Sequence, residues 1–307
     1  MPSSFKNQTI TTIKRETKMK KTLLALLSAI LLITVVQPAQ AEDQKVLAII
    51  DTAIDSNKIP SVIYEACFTE NSSCLNGQKF MEGKGAAASK VWPTSMLNDT
   101  FHGHNVTQAA LSVDPTIKIV FVRVANITAL GNSGVTTNTL TLGMEWVSKN
   151  AVKYGIDAVS ISQSSISKNN LDACTGVGTL KNEGLRAINA VSLLNASNVA
   201  VFVATGNDSS KTIVGFPSCV NGVIGVGSIK PSLTELSSFT NSGPGLDAVA
   251  LSTATITNFK GTVGEVGGTS VSTPLSAANY VKNKGSGTFA EFQSKLTKAL
   301  GYLYINN

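Results

Sequence analysis

The sequence predicts an α/β protein of three layers, a mainly parallel sheet between helices. Three observations carry that prediction. Short runs rich in Val, Ile and Ala are apolar at consecutive positions, as in strands covered on both faces. Longer stretches with helical spacing lie between these runs, which is the pattern of βαβ units. No Pro/Gly/Ser-rich linker, repeat or block of charge divides the chain after its first 41 residues, so residues 42–307 read as one domain. With 307 residues, 43% hydrophobic and 14% charged, the chain can bury a substantial core, which excludes a disordered or coiled-coil protein.

Residues 1–41 stand apart from this pattern. Lys20-Lys21 leads into the apolar stretch Leu23–Val36 and then Pro38-Ala39-Gln40-Ala41, the three regions of an export signal cleaved after Ala41, with Met19 as a natural start. The apolar stretch is too short to span a bilayer. The same region carries six of the 25 Lys and Arg residues and one acid, so the net charge of +6 falls almost to neutrality without it. A near-neutral remainder with no late apolar span argues against nucleic-acid and membrane partners.

Along the rest of the chain, the strand-like runs are Val46–Ile50, Ile117–Val124, Ala158–Ile161, Val199–Ala204 and Val223–Val226. Helical patterns occupy Leu140–Val152, Leu185–Leu194, Thr273–Val281 and Phe289–Leu303, and a helix-like segment follows His104. Open parallel sheets bind ligands beyond the carboxyl ends of their strands. Four cysteines, Cys67, Cys74, Cys174 and Cys219, allow three pairings in an exported chain. The favoured set is Cys67–Cys74, closing a short polar loop, and Cys174–Cys219, tying two distant segments.

Four features carry chemistry. Asp51 ends the first strand, where it serves either as a turn cap or as a functional carboxylate. The two histidines of the chain sit together in Phe101-His102-Gly103-His104, which makes this the one source of a neutral-pH proton acceptor. Gly267-Gly268-Thr269-Ser270 enters a helix, so Ser270 is either an N-cap or a hydroxyl at a helix end that favours developing negative charge. Asn207 follows another apolar strand and either closes a turn or offers an amide donor to an oxyanion.

Taken in the order Asp51, His102, Asn207, Ser270, the chain resembles the subtilisin-like serine proteases. VLAIIDTAID is similar to that family's first motif, FHGHNVTQ to its His motif, VFVATGND to its Ala-Gly-Asn motif and GGTSVSTP to its serine motif. The resemblance implies a subtilisin-like fold and an endopeptidase. Ser270 would be the nucleophile, His102 the base, Asp51 the carboxylate that orients it and Asn207 an oxyanion donor. It also places Ser162-Gln163-Ser164 where the family has a Ser-Leu-Gly segment that pairs with the substrate backbone, and Gly215 at the floor of the main specificity pocket. A glycine floor implies a large apolar side chain before the cut bond.

The departures lie near the catalytic motifs. His104 stands where the family has Thr, Asn105 where it has a second His, Gln108 where it has Gly, Ala53 where Gly follows Asp-Thr, and Val271-Ser272-Thr273 where it has Met-Ala-Ser. None removes a triad atom. The segment from His102 to Ile117 leaves no room for the family's calcium loop, so no cofactor or metal is expected. Nine residues between Ala41 and Asp51 leave no recognisable pro-segment, so a secreted or periplasmic enzyme acting on protein or peptide substrates would fold either unaided or with a folding or inhibitory partner in trans. Two other readings compete: an inactive binding module on the same fold, and a metal-binding protein using His102, His104 and Asp99.

Overall fold

The computed structural model describes residues 44–91 and 99–305; the segment read as an export signal lies outside them. Strand β1, Val46–Asp51, is buried at every residue, which accounts for its unbroken apolar spelling. Its alternate side chains point to opposite faces: Val46, Ala48 and Ile50 join one core cluster, Leu47 and Ile49 another. The strands β2 (Val62–Phe68) and β3 (Phe80–Glu82) follow, then helix α1 (His102–Val113) and β4 (Lys118–Arg123). Next come a hairpin of β5 (Ala125–Ile127) and β6 (Ser133–Val135), helix α2 (Thr137–Tyr154) and β7 (Ala158–Ile161). A short helix α3 (Lys168–Ala173) and the longer α4 (Lys181–Ala196) lead to β8 (Ala200–Ala204) and β9 (Ile224–Ile229). The chain then forms β10 (Ala248–Leu251), a hairpin of β11 (Thr253–Thr257) and β12 (Val263–Gly267), and α5 (Thr269–Asn283). It closes with α6 (Phe289–Gln293), β13 (Lys298–Ala299) and β14 (Tyr302–Tyr304).

Ten of these strands make one sheet in the order β13-β14-β10-β9-β8-β7-β1-β4-β2-β3, parallel except for the outermost pair at each edge. Helices α2 and α4 cover one face through Leu140, Met144, Val147, Ala187, Val191 and Leu194. Helices α1 and α5 cover the other through Val106, Ala110, Ala277, Ala278 and Val281. The chain is therefore the three-layer α/β structure its spelling predicts. The helix α2 starts on a capping box at Thr136, whose side chain accepts from Thr139 N while Thr139 Oγ1 accepts from Thr136 N, and stops at Gly155 in the left-handed region.

One predicted element is corrected. The helical pattern over Phe289–Leu303 is helix only to Gln293, and the chain then turns through Leu300 and Gly301, both at positive φ, into β14. Backbone pairing decides this. Leu303 and Tyr304 lie in register with Ala248 and Val249 and extend the sheet, which outweighs the local helical spacing.

Both favoured cysteine pairs are joined, with Cα separations of 6.0 Å for Cys67–Cys74 and 5.5 Å for Cys174–Cys219. Among the described residues no helix is long and apolar enough to cross a membrane.

Candidate active site

The parallel strands deliver their carboxyl ends to one edge of the sheet, and the helices that return from it begin there. Asp51 is the last residue of β1 and is fully buried. His102 is the first residue of α1, with its side chain about a quarter exposed (24%). Its Nδ1 lies 2.7 Å from Asp51 Oδ1, which also accepts from the Thr52 backbone N–H at 2.7 Å. An imidazole so held donates from Nδ1 and leaves Nε2 as its basic nitrogen.

The tightness of this approach depends on Gly103. A Cβ built there would lie 2.5 Å from Phe121 Cζ, 3.0 Å from the Ala53 carbonyl oxygen and 3.3 Å from Asp51 Cβ. Only a residue without a side chain lets α1 start this close to β1. The Thr52 hydroxyl oxygen accepts from the Gly103 backbone N–H at 2.9 Å and fixes that first turn.

Ser270 lies in the first turn of α5, whose cap, Gly268, has φ 115°. The Ser270 hydroxyl donates to the Ser162 carbonyl at 3.2 Å, and the Ser162 hydroxyl donates back to the Ser270 carbonyl at 2.8 Å. Pro274 explains why that carbonyl is open: it has no N–H to close the helical bond to the residue four positions earlier. The Ser270 backbone N–H, among the first of the helix, has no acceptor among the described residues and lies at the positive end of the helix dipole.

Asn207, exposed beyond β8, uses its Oδ1 to accept from the Thr269 backbone N–H at 3.1 Å and from the Thr269 hydroxyl at 2.9 Å. Those two bonds fix the amide plane and leave Nδ2 as a donor with no acceptor among the described residues. A Cβ at Gly268 would sit 3.3 Å from that nitrogen, so the glycine keeps the space in front of it open.

A cleft of about 490 Å³ joins these groups, lined by His102, Ser162, Gln163, Ser164, Asn207 and Ser270 of the predicted site, with Asp51 buried behind His102. Gly215 is not among the residues lining this cleft; it is buried, and a Cβ there would overlap the Ser164 hydroxyl and the Ser165 backbone, so Ser164 packs directly against it. The adjoining Phe216 pairs with Ser165 through two backbone bonds, of 2.9 and 3.1 Å.

His104, two residues from His102, faces other groups. It is 1% exposed and shares its surroundings with Asp55, Lys58 and the Thr257 backbone, and burial pushes its pKa down to about 4. Among the described residues no group of three or more His, Cys, Asp or Glu side chains is arranged to hold a metal ion; the side chain of Asp99 lies outside them.

Sequence reasoning missed Thr52 and Thr269, which hold Gly103 and Asn207, and the cleft residues Ser133, Gly134 and Val135 of β6. It also missed Asn241, fully buried, whose side chain bonds Thr205, Asp208 and Ser210 and shapes the turn carrying Asn207. The two threonines adjoin predicted site residues, which was a usable signal. Asn241 had none, because its partners lie more than thirty residues away.

The model of the subtilase family matches residues 43–286. Comparison with curated proteins by sequence gave no match. Solved structures with the same fold include a protease from Pseudoalteromonas arctica PAMC 21717, with a TM-score of 0.63, 20% identity and 84% of each chain covered. The nisin leader peptidase of Lactococcus lactis is similar, with a TM-score of 0.61, 19% identity and 85% of each chain covered. A lanthipeptide protease has a TM-score of 0.56 at 18% identity, covering 83% of this chain and 76% of its own.

Proposed function

Because the chain belongs to the subtilase family and is a subtilisin-like serine peptidase, we propose that it cuts peptide bonds with Ser270 as nucleophile, His102 as general base and Asp51 as its orienting carboxylate. The observation that carries this reading is the 2.7 Å bond from His102 Nδ1 to a fully buried Asp51, at the edge of the cleft that also holds Ser270. In this mechanism the Ser270 hydroxyl turns from the Ser162 carbonyl to His102 Nε2 and attacks the substrate carbonyl as its proton passes to the imidazole. The imidazolium then returns that proton to the leaving amine, and water repeats the sequence on the acyl-enzyme. Asp51 keeps the imidazole in the required tautomer. The negative charge on the tetrahedral oxygen is met by Asn207 Nδ2 and the Ser270 N–H, two donors held in place before the reaction begins.

The substrate is a peptide or protein segment in extended form. Ser162, Gln163 and Ser164 on one side and β6 on the other offer backbone and hydroxyl groups for strand-like pairing. For the side chain before the cut bond we retain an apolar preference, with Ser164 over Gly215 limiting its length. A fluorogenic panel in which Lys or Arg wins at that position refutes this part alone. We take residues 42–307 as the catalytic domain of an exported enzyme, secreted or periplasmic. The two disulfides support an oxidising compartment.

The direct test treats the purified protein and its Ser270→Ala variant with a fluorophosphonate and a casein-type substrate. Labelling and cleavage are lost together in the variant. Cleavage that persists without Ser270, or a wild-type protein that neither labels nor cleaves, overturns the reading.

A further inference from the structure

Gln163 follows β7 and projects its carboxamide into the cleft, where the resembling motif has an apolar leucine. Its Nε2 stands 3.5 Å from His102 Nδ1. That nitrogen carries the hydrogen already given to Asp51 Oδ1 at 2.7 Å, so a second N–H aimed at it would be repelled. An amide has an oxygen at one end and a nitrogen at the other, and their placement is set by chemistry rather than by shape. The end that suits an imidazole N–H is the oxygen.

Resting on the catalytic reading above, we propose that Gln163 is a positioning residue whose carboxamide oxygen accepts a second, longer hydrogen bond from His102 Nδ1–H. In the resting enzyme the contact is at the outer limit of a hydrogen bond. It strengthens when the ring becomes an imidazolium, because bonds to a charged donor are shorter and about twice as strong. Gln163 then does two things at once. It limits rotation of the ring about its bond to Asp51, and it stabilises the charged form that exists while the proton is on the imidazole.

The surroundings make the effect readable. The titratable groups seen on this side are Asp51 from β1, bonded to His102, and Asp208 beyond β8, which lines the cleft. From β6, β7 and α5 the cleft receives hydroxyls, amides and small apolar groups, while Asp55 and Lys58 act on His104. Gln163→Leu changes the imidazole's surroundings without adding or removing a charge.

The test follows the rate of labelling by a small alkyl fluorophosphonate against pH, since this reagent has no peptide chain with which to touch residue 163. Wild type is compared with Gln163→Leu and Gln163→Glu. With the stabilising oxygen gone, Gln163→Leu moves the acid limb down by about half a pH unit and slows labelling above the limb several-fold. Gln163→Glu, of the same shape and now charged, moves it up by about one unit. A limb that stays in place in both variants overturns the proposal, as does an upward shift in Gln163→Leu, which would mean that the amide N–H faces the site. A wild-type protein that labels with no acid limb at all instead removes His102 as the base, a separate result.

Discussion

Replacing Gly103 by Ala perturbs the proposed site without altering any of its functional groups. The added Cβ would lie 2.5 Å from Phe121 Cζ, whereas carbon atoms pack at about 3.5–4.0 Å. Phe121 cannot swing aside, since it is fully buried in β4 between β1 and β2, and the Ala53 carbonyl at 3.0 Å is backbone. The first turn of α1 must therefore draw back by about 1 Å. The bond from His102 Nδ1 to Asp51, 2.7 Å long, then opens to about 3.7 Å, beyond hydrogen-bond range. A misplacement of about 1 Å in a catalytic group costs about 10²-fold in rate, and overpacking of this kind costs about 1–3 kcal/mol of stability. The assays are kcat/KM on a chromogenic peptide and urea unfolding. Adding Phe121→Leu shortens the opposing side chain and recovers part of the lost rate. Retention of kcat/KM within about twofold of wild type in Gly103→Ala refutes the claim that this close approach sets the His102 geometry.

Three further predictions concern other parts of the molecule. Asn207→Ala lowers kcat by about 10²–10³-fold with little change in KM, a range carried over from a known side-chain oxyanion donor of this family; steady-state kinetics in which KM carries the loss instead contradicts the assignment. The Cys174–Cys219 bond spans 45 residues and Cys67–Cys74 spans 7, so loop entropy assigns them about 4 and about 2.4 kcal/mol. Guanidinium unfolding of the two paired Cys→Ala variants, in a Ser270→Ala background that prevents self-digestion, is expected to rank them in that order. His104 supplies a pH dependence: its folded pKa of about 4 lies below the ordinary 6.5, so the unfolded chain binds a proton first as the pH falls. Stability on this account is intact above pH 6.5 and declines towards pH 4, by about 2 kcal/mol between pH 7 and pH 5. His104→Gln flattens that part of the curve in paired unfolding measurements, and a curve as steep as wild type's rules the account out.

By itself the sequence determined the layers and supplied the residues of the proposed site. Consecutive apolar residues at Val46–Ile50 and Val199–Ala204 are legible because both faces of a parallel strand are covered, so burial is written locally. Asp51, His102, Asn207 and Ser270 are legible because each sits at a strand end or helix start with small residues that such a turn needs. Tertiary structure decided the rest, because it depends on atoms far apart in the chain. Of the fifteen residues predicted as one helix, Phe289–Leu303, the first five are helix, and the remainder runs into two short strands once β10 offered an edge to pair with. Gly215 proved to be covered by Ser164, fifty-one residues before it, and Gly103 proved necessary because of Phe121, eighteen residues after it. Asn241 and Gln163 acquired their places from partners that no local pattern announces. Spelling records which face of an element is buried, whereas the distance between two side chains is set by how whole elements pack.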